Sequence, residues 1–207
     1  MIWSINGTDY AVDIYPLKKA KRVTVRKKSA YHYAIRAPRH VPVASLKTLF
    51  QTQLSLFDDL PVPLDYNAYL NQDIIQLWGE ETDLFKGLPV QEKIDRLDQM
   101  MLEELSYIEI YYKKTQDIID LNHLSYQVKK YESKFGSCHP RKRIIRFNRL
   151  LVHYPKQYLE YIYAHEIVHL NIPHHQAAFY QCLDIIEPDH VQLKKALHHY
   201  HQMFTRS

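Results

Sequence analysis

Apolar and polar positions alternate at the start of the chain and shift to helical spacing further along. Ile2 to Ile5 and Tyr10 to Tyr15 flank Asn6-Gly7, the dipeptide that supplies the two positive-φ positions of a tight hairpin turn. Val23 to Arg26 and Tyr31 to Ala37 continue the β pattern, with β-branched and aromatic residues alternating with polar ones. Pro42 then opens a helix in which Leu46, Leu49, Phe50, Leu54 and Phe57 recur at three- and four-residue spacing, with Pro61 and Pro63 beyond its end. Asp73 to Glu80 reads as a short strand ending in a turn at Gly79.

From Gln91 to about Leu121, one helical face carries Ile94, Leu97, Met101, Leu105, Ile108 and Tyr112. It predicts one long helix, or two broken near Ser106. Leu124 to Val128 and Ile144 to Phe147 read as strands on either side of Gly136-Ser137-Cys138. Tyr158 to Ile172 has no Gly or Pro and is predicted helical up to Pro173; helices over His175 to Ile186 and Asp189 to about Met203 follow, separated by Pro188. Strands first and helices later make the class α+β. One domain is expected over residues 1–207, with a β-rich part at 1–40, a helical insert at about 84–122 and a metal-site region at 124–203.

Composition narrows the function classes. With 46% hydrophobic and 24% charged residues, the 207-residue chain is ordinary globular material. Two cysteines, Cys138 and Cys182, cannot build a disulfide framework or a four-cysteine zinc ribbon, and a reducing, cytoplasmic location is the simplest expectation. The first residues lack a charged start followed by an apolar run, and no stretch of about 18 apolar residues occurs, so neither a secretory signal nor a membrane span is expected. Charge is uneven: nine Lys or Arg and no acid lie between Pro16 and Arg39, and eight bases with one acid between Lys129 and Arg149. A solvated basic face is the plain reading; a nucleic acid or another phosphate-rich partner is the sharper one.

Ten of the thirteen histidines lie in the last third, and two of them form His165-Glu166-x-x-His169. Residues four apart on a helix lie one above the other, so both imidazoles can reach one ion. Glu166, beside the first ligand, is placed to meet a water in an open position. At this composition the pattern arises by chance about 0.04 times per chain, and a further histidine at the tenth position lowers that more than tenfold. A catalytic zinc usually takes three protein ligands, and His175 follows Pro173, where the chain can turn back; His174 competes for the role. The apolar neighbours Ile162, Ala164, Ile167, Val168 and Leu170 make surface decoration a poor account, because a buried His-His-Glu cluster needs partners.

Lys134-Phe135-Gly136-Ser137-Cys138, Arg146-Phe147-Asn148-Arg149-Leu150, and Tyr161 to Leu170 with His175 and Phe179 together resemble the YgjP-like metallopeptidase family. The resemblance is closest over Lys134 to Phe179. Phe135 stands where the family has Trp, His174 where it has Asn, and Leu84 to Asn122 does not align. It implies a zincin-like fold: an active helix carrying the first two ligands, packed on a small sheet whose edge lines the cleft. It also implies a zinc-dependent hydrolase, usually assigned to peptidases.

The expected chemistry is hydrolysis with one zinc ion, or another divalent metal, held by His165, His169 and His175, and with Glu166 as general base. A second electrophile for the developing oxyanion is open among Tyr163, His139 and Arg143, and Ser137 could orient substrate or ligand shell. Cys138 reads better as a small buried side chain than as a nucleophile paired with His139. A peptide lying along a sheet edge is the first substrate expectation. Two alternatives stand beside it. One is a metal-dependent hydrolase of a phosphoanhydride such as a nucleoside triphosphate, a phosphorylated small molecule suited to the Lys129–Arg149 bases. The other is a nucleic-acid-binding module with a structural zinc, which three histidines without a fourth ligand argue against.

Overall fold

The computed structural model describes residues 1–58 and 64–205. Contacts divide it into two compact units, Met1–Asp65 with Gln202–Ser207, and Tyr66–His201. In the first unit, β1 (Ile2–Ile5), β2 (Thr8–Leu17), β3 (Thr24–Ser29) and β4 (His32–Pro38) form a sheet in the order β1-β2-β4-β3. The β1–β2 hairpin turns at Asn6 and Gly7, with φ of 51° and 81°, as the dipeptide predicts. β2 and β4 are parallel; β3 and β4 are antiparallel. Alternation places Trp3, Ile5, Tyr10, Val12, Tyr33, Ile35 and Ala37 in one core with Leu46 and Phe50 of α1 (Val43–Thr52). The Phe50 ring meets Trp3, Tyr10 and Tyr33 edge-on at 5.5, 5.7 and 5.0 Å, the favoured arrangement for aromatic quadrupoles. The single helix expected through Phe57 is two, because Gln53 leaves the helical conformation and α2 (Leu54–Asp58) starts anew. The Thr52 hydroxyl bonds the Thr48 and Leu49 carbonyls just before the break, a competition that weakens a helix end. Pro61 and Pro63 lie outside the described residues.

The second unit opens with a one-turn helix, α3 (Tyr66–Leu70), which the apolar pattern does not announce. The strand expected over Asp73 to Glu80 is a hairpin instead, β5 (Ile75–Leu77) and β6 (Glu80–Thr82), turning at Trp78 and Gly79 with φ of 54° and 89°. Its tip docks where the active helix begins. Trp78 and Gly79 donate N–H to the Val152 and His153 carbonyls, and a Cβ at Gly79 would meet Pro155 at 2.8 Å. Then comes α4 (Val90–Thr115), one unbroken helix burying Leu97, Met101, Leu105, Ile108 and Tyr112. Ser106 does not break it; its hydroxyl bonds the Leu102 carbonyl.

A small sheet follows in the order β7-β9-β8, from β7 (Ser125–Lys129), β8 (Gly136–His139) and β9 (Ile144–Asn148). β7 is parallel to β9 and β8 antiparallel to it, so Gly136-Ser137-Cys138 is itself an edge strand and not only the connection between the two expected strands. Asn148 fixes the loop before β8: its side-chain amide donates to the Tyr131 and Lys134 carbonyls and its oxygen accepts from Leu150 N–H. After a 3-10 turn over Arg149–His153, α5 (Lys156–Val168) begins behind Pro155 and is buried nearly all round, as a helix in a protein interior must be. It ends four residues before the expected Ile172, because Leu170 and Asn171 bond three residues back and tighten the last turn. α6 (Ala177–Ile186) and α7 (His190–Phe204) complete the helical part. No helix among the described residues is long and apolar enough to cross a membrane.

Candidate metal centre

α5 carries His165 on its last full turn, and His169 caps its end in helical conformation (φ −67°, ψ −13°). His175 comes from the turn before α6, which starts at Ala177 rather than at His175. The His175 Nε2 lies 3.0 Å from His165 Nε2 and 3.2 Å from His169 Nε2. Each histidine offers one nitrogen to a common point, and no other such cluster of His, Cys, Asp or Glu occurs among the described residues; His174 is not in it.

The donor set fits a tetrahedral cation. An ion bonded to three nitrogens at about 2.0–2.1 Å sets those atoms about 3.3–3.4 Å apart. Three imidazole nitrogens meeting at one point cannot all hydrogen-bond to one another, whereas a cation takes a lone pair from each. His169 Nδ1 must donate to the Ile172 carbonyl at 3.0 Å, since a carbonyl only accepts; this leaves the Nε2 lone pair facing the cluster. Burial, reinforced by His169 and His175 beside it, pushes His165 down to about 3, and burial also lowers His169, so both are in the neutral form that offers a lone pair at ordinary pH. The buried Phe179 ring touches all three imidazoles, with centroids 4.9, 4.6 and 4.7 Å away, and restricts how they turn. Its spacing of four from His175 is the only sequence signal of that role.

Glu166, on the same helix, is 4% exposed. Its Oε2 has no hydrogen-bond partner, and neither has His165 Nδ1. Burial pushes the carboxyl up to about 8, opposed by the Lys134 charge and by a hydrogen bond from the Cys138 backbone N–H. A buried carboxylate oxygen without a donor is a place for a proton or a water.

The remaining candidates stand differently. Ser137 shares a hydrogen bond with Tyr131 at 3.2 Å on the edge strand. His139 accepts from Lys142 N–H and caps the 3-10 turn Pro140–Lys142. Arg143 donates to the Asn122 and Asp120 carbonyls and so ties down the loop before β7. Tyr163 is fully buried, with its hydroxyl on that of Tyr126 at 3.0 Å and its ring stacked on Tyr112 and Phe147. The Cys138 thiol is pushed up to about 12, by burial first and the Glu166 charge second, which leaves it a poor nucleophile near neutrality. Tyr161, which opens the quoted stretch to Leu170, and Tyr180, which no motif singled out, sit 6.2 and 6.4 Å from the His165 and His175 rings.

A family model described as YgjP-like, metallopeptidase domain, matches residues 86–200, more than half of the chain. No match is found among curated proteins. Among solved structures, the crystal structure of the metallopeptidase zymogen of Pyrococcus abyssi abylysin is similar at 13% identity and a TM-score of 0.36, covering 53% of this chain and 95% of that one.

Proposed function

We propose a mechanism for a chain that belongs to the YgjP-like metallopeptidase family, and is therefore a metal-dependent peptidase in general: one zinc ion held by His165, His169 and His175, with Glu166 as general base. The observation that carries it is the convergence of three imidazole nitrogens within 3.0–3.2 Å beside a buried carboxylate whose Oε2 is bare. A zinc ion held by these three histidines would supply Lewis acidity, lowering the pKa of a water toward neutrality. Glu166 takes the proton of that water at Oε2 and returns it to the leaving nitrogen. The buried residues of α5 and the Phe179 ring wall the cluster on one side, while His175 is exposed on the other, where a substrate can enter.

β8 favours an extended peptide as substrate. It is the edge of its sheet, so among the described residues one row of its backbone groups has no strand partner and can receive a chain by strand addition. The phosphoanhydride alternative is weaker, because three of the eight bases of the Lys129–Arg149 run, all of them arginines, are engaged within the fold: Arg143 as above, Arg146 with Gln127, and Arg149 with Asp98. A closed structural zinc would need a fourth protein ligand, which the cluster lacks among the described residues. A reducing, cytoplasmic setting suits Cys138 and Cys182, both unpaired.

The test is E166Q assayed on a mixture of quenched fluorescent peptides. The variant is expected to keep one zinc per chain by elemental analysis and to lose about 10²–10⁴-fold in kcat. Hydrolysis at the wild-type rate would remove Glu166 from the mechanism. Nucleoside triphosphates in a parallel assay distinguish the two substrate classes.

A further inference from the structure

Gly136 opens β8, directly against α5. Its φ is not in the left-handed region, unlike those of Gly7, Gly79 and Gly87, so backbone conformation does not demand glycine there. Space does. A Cβ at Gly136 would lie 2.6 Å from Glu166 Oε1, 2.8 Å from its Cγ and 2.9 Å from its Cδ. All three are below any ordinary contact, and they include the stem of the side chain as well as its tip. Glu166 cannot simply swing aside, because it is buried.

We propose that Gly136 is a positioning residue for the base: its missing side chain is the slot that seats the Glu166 carboxylate flat against β8. In that slot the carboxylate lies against the strand through Oε1, and Oε2 stays free to take the proton. The proposal rests on reading Glu166 as the base. It extends that reading by making the edge strand, as well as the helix, responsible for where the carboxylate lies. Tight placement matters because displacing a catalytic group by about 1 Å can cost about 10²-fold in rate.

The experiment is a double-mutant cycle with two readouts. For stability, G136A is expected to lower the melting temperature by about 3–8 °C when Glu166 is present, as overpacking of a buried site does. Combined with E166A, which removes the Cγ, Cδ and Oε1 that a Cβ would strike, it should cost less than about 2 °C. For activity on the peptide mixture, G136A should lower kcat about 10²-fold while KM and zinc content stay within about twofold, and should add no further loss to E166Q. Equal melting penalties with and without the Glu166 side chain would overturn the proposal, as would a wild-type kcat for G136A. If G136A alone does not fold, the G136A/E166A pair must; failure of both also overturns it. A wild-type rate for E166Q would sink the general-base reading instead, while the melting cycle decides the packing independently.

Discussion

Five polar or charged residues are buried in the second unit, and four of them contrast with the fifth. Lys93 donates to the Leu70 and Gln72 carbonyls, and Asn148 makes three hydrogen bonds. His153 accepts from the Tyr66 hydroxyl and donates to the Gln76 carbonyl; His190 pairs with Asp184. Glu166 alone keeps a bare oxygen, and its neighbour His165 a bare ring nitrogen. Leaving a buried polar atom unpartnered costs about 1–3 kcal/mol, so a fold that satisfies its other buried polar groups tolerates the exception where a ligand or proton completes it. The four satisfied residues are architecture, and the fifth marks the site proposed above.

The contrast breaks most visibly on metal. Zinc at about a thousand times its dissociation constant should stabilise the folded chain by about 4 kcal/mol over chelator-treated protein, read as a shift in the denaturant midpoint. H169A should abolish nearly all of that shift. H153Q, which alters an imidazole already satisfied within the fold, should leave it intact. A zinc shift in H169A equal to the wild-type one would place the ion elsewhere.

pH sharpens the same comparison at smaller scale. Burial pushes His153 down to about 4, against 6.5 for an ordinary histidine. Between those values the unfolded chain binds a proton that the folded chain refuses. Stability from this group is therefore complete above 6.5 and is lost as pH falls toward 4. Between pH 7 and pH 5 the loss comes to about 2 kcal/mol. H153Q removes the titration, so the wild type should fall by that much more than the variant in urea melts at the two pH values. Parallel losses would show that His153 is not held neutral.

Much of the site was legible because its signals are local. His165 and His169 declare themselves by a spacing of four within a helix, and Asn6-Gly7 by a turn that those residues favour. What stayed hidden depends on contacts between distant residues. That His175 rather than His174 joins the cluster follows from how the chain turns after α5, and α5 itself ends early through three-residue bonds that no side chain signals. β8 reads Gly-Ser-Cys-His, with no apolar alternation, and becomes a strand only because β9 pairs with it. β6, Glu-Glu-Thr, is the same case on β5, and it turns at Trp78, a residue with no preference for positive φ. Gly136 looks like any turn glycine until Glu166, thirty positions on, lies against it.

The smallest expected effect concerns a charge that the sequence offered to a partner. Arg149 closes the basic run from Lys129, yet its guanidinium donates twice to Asp98 of α4, both at 2.6 Å, with the two side chains 19% and 23% exposed. Paired donors in a fork fix direction as well as distance, so this ion pair clamps the 3-10 turn before α5 to α4. Partial exposure keeps its worth low, at about 1 kcal/mol. D98N should therefore lower the urea midpoint slightly and leave zinc content and kcat unchanged, because it disturbs a satisfied pair rather than the bare carboxylate. A D98N variant that lost zinc would mean that the clamp sets the pitch of α5 at His165, and the line drawn between architecture and site would have to move outward to include α4.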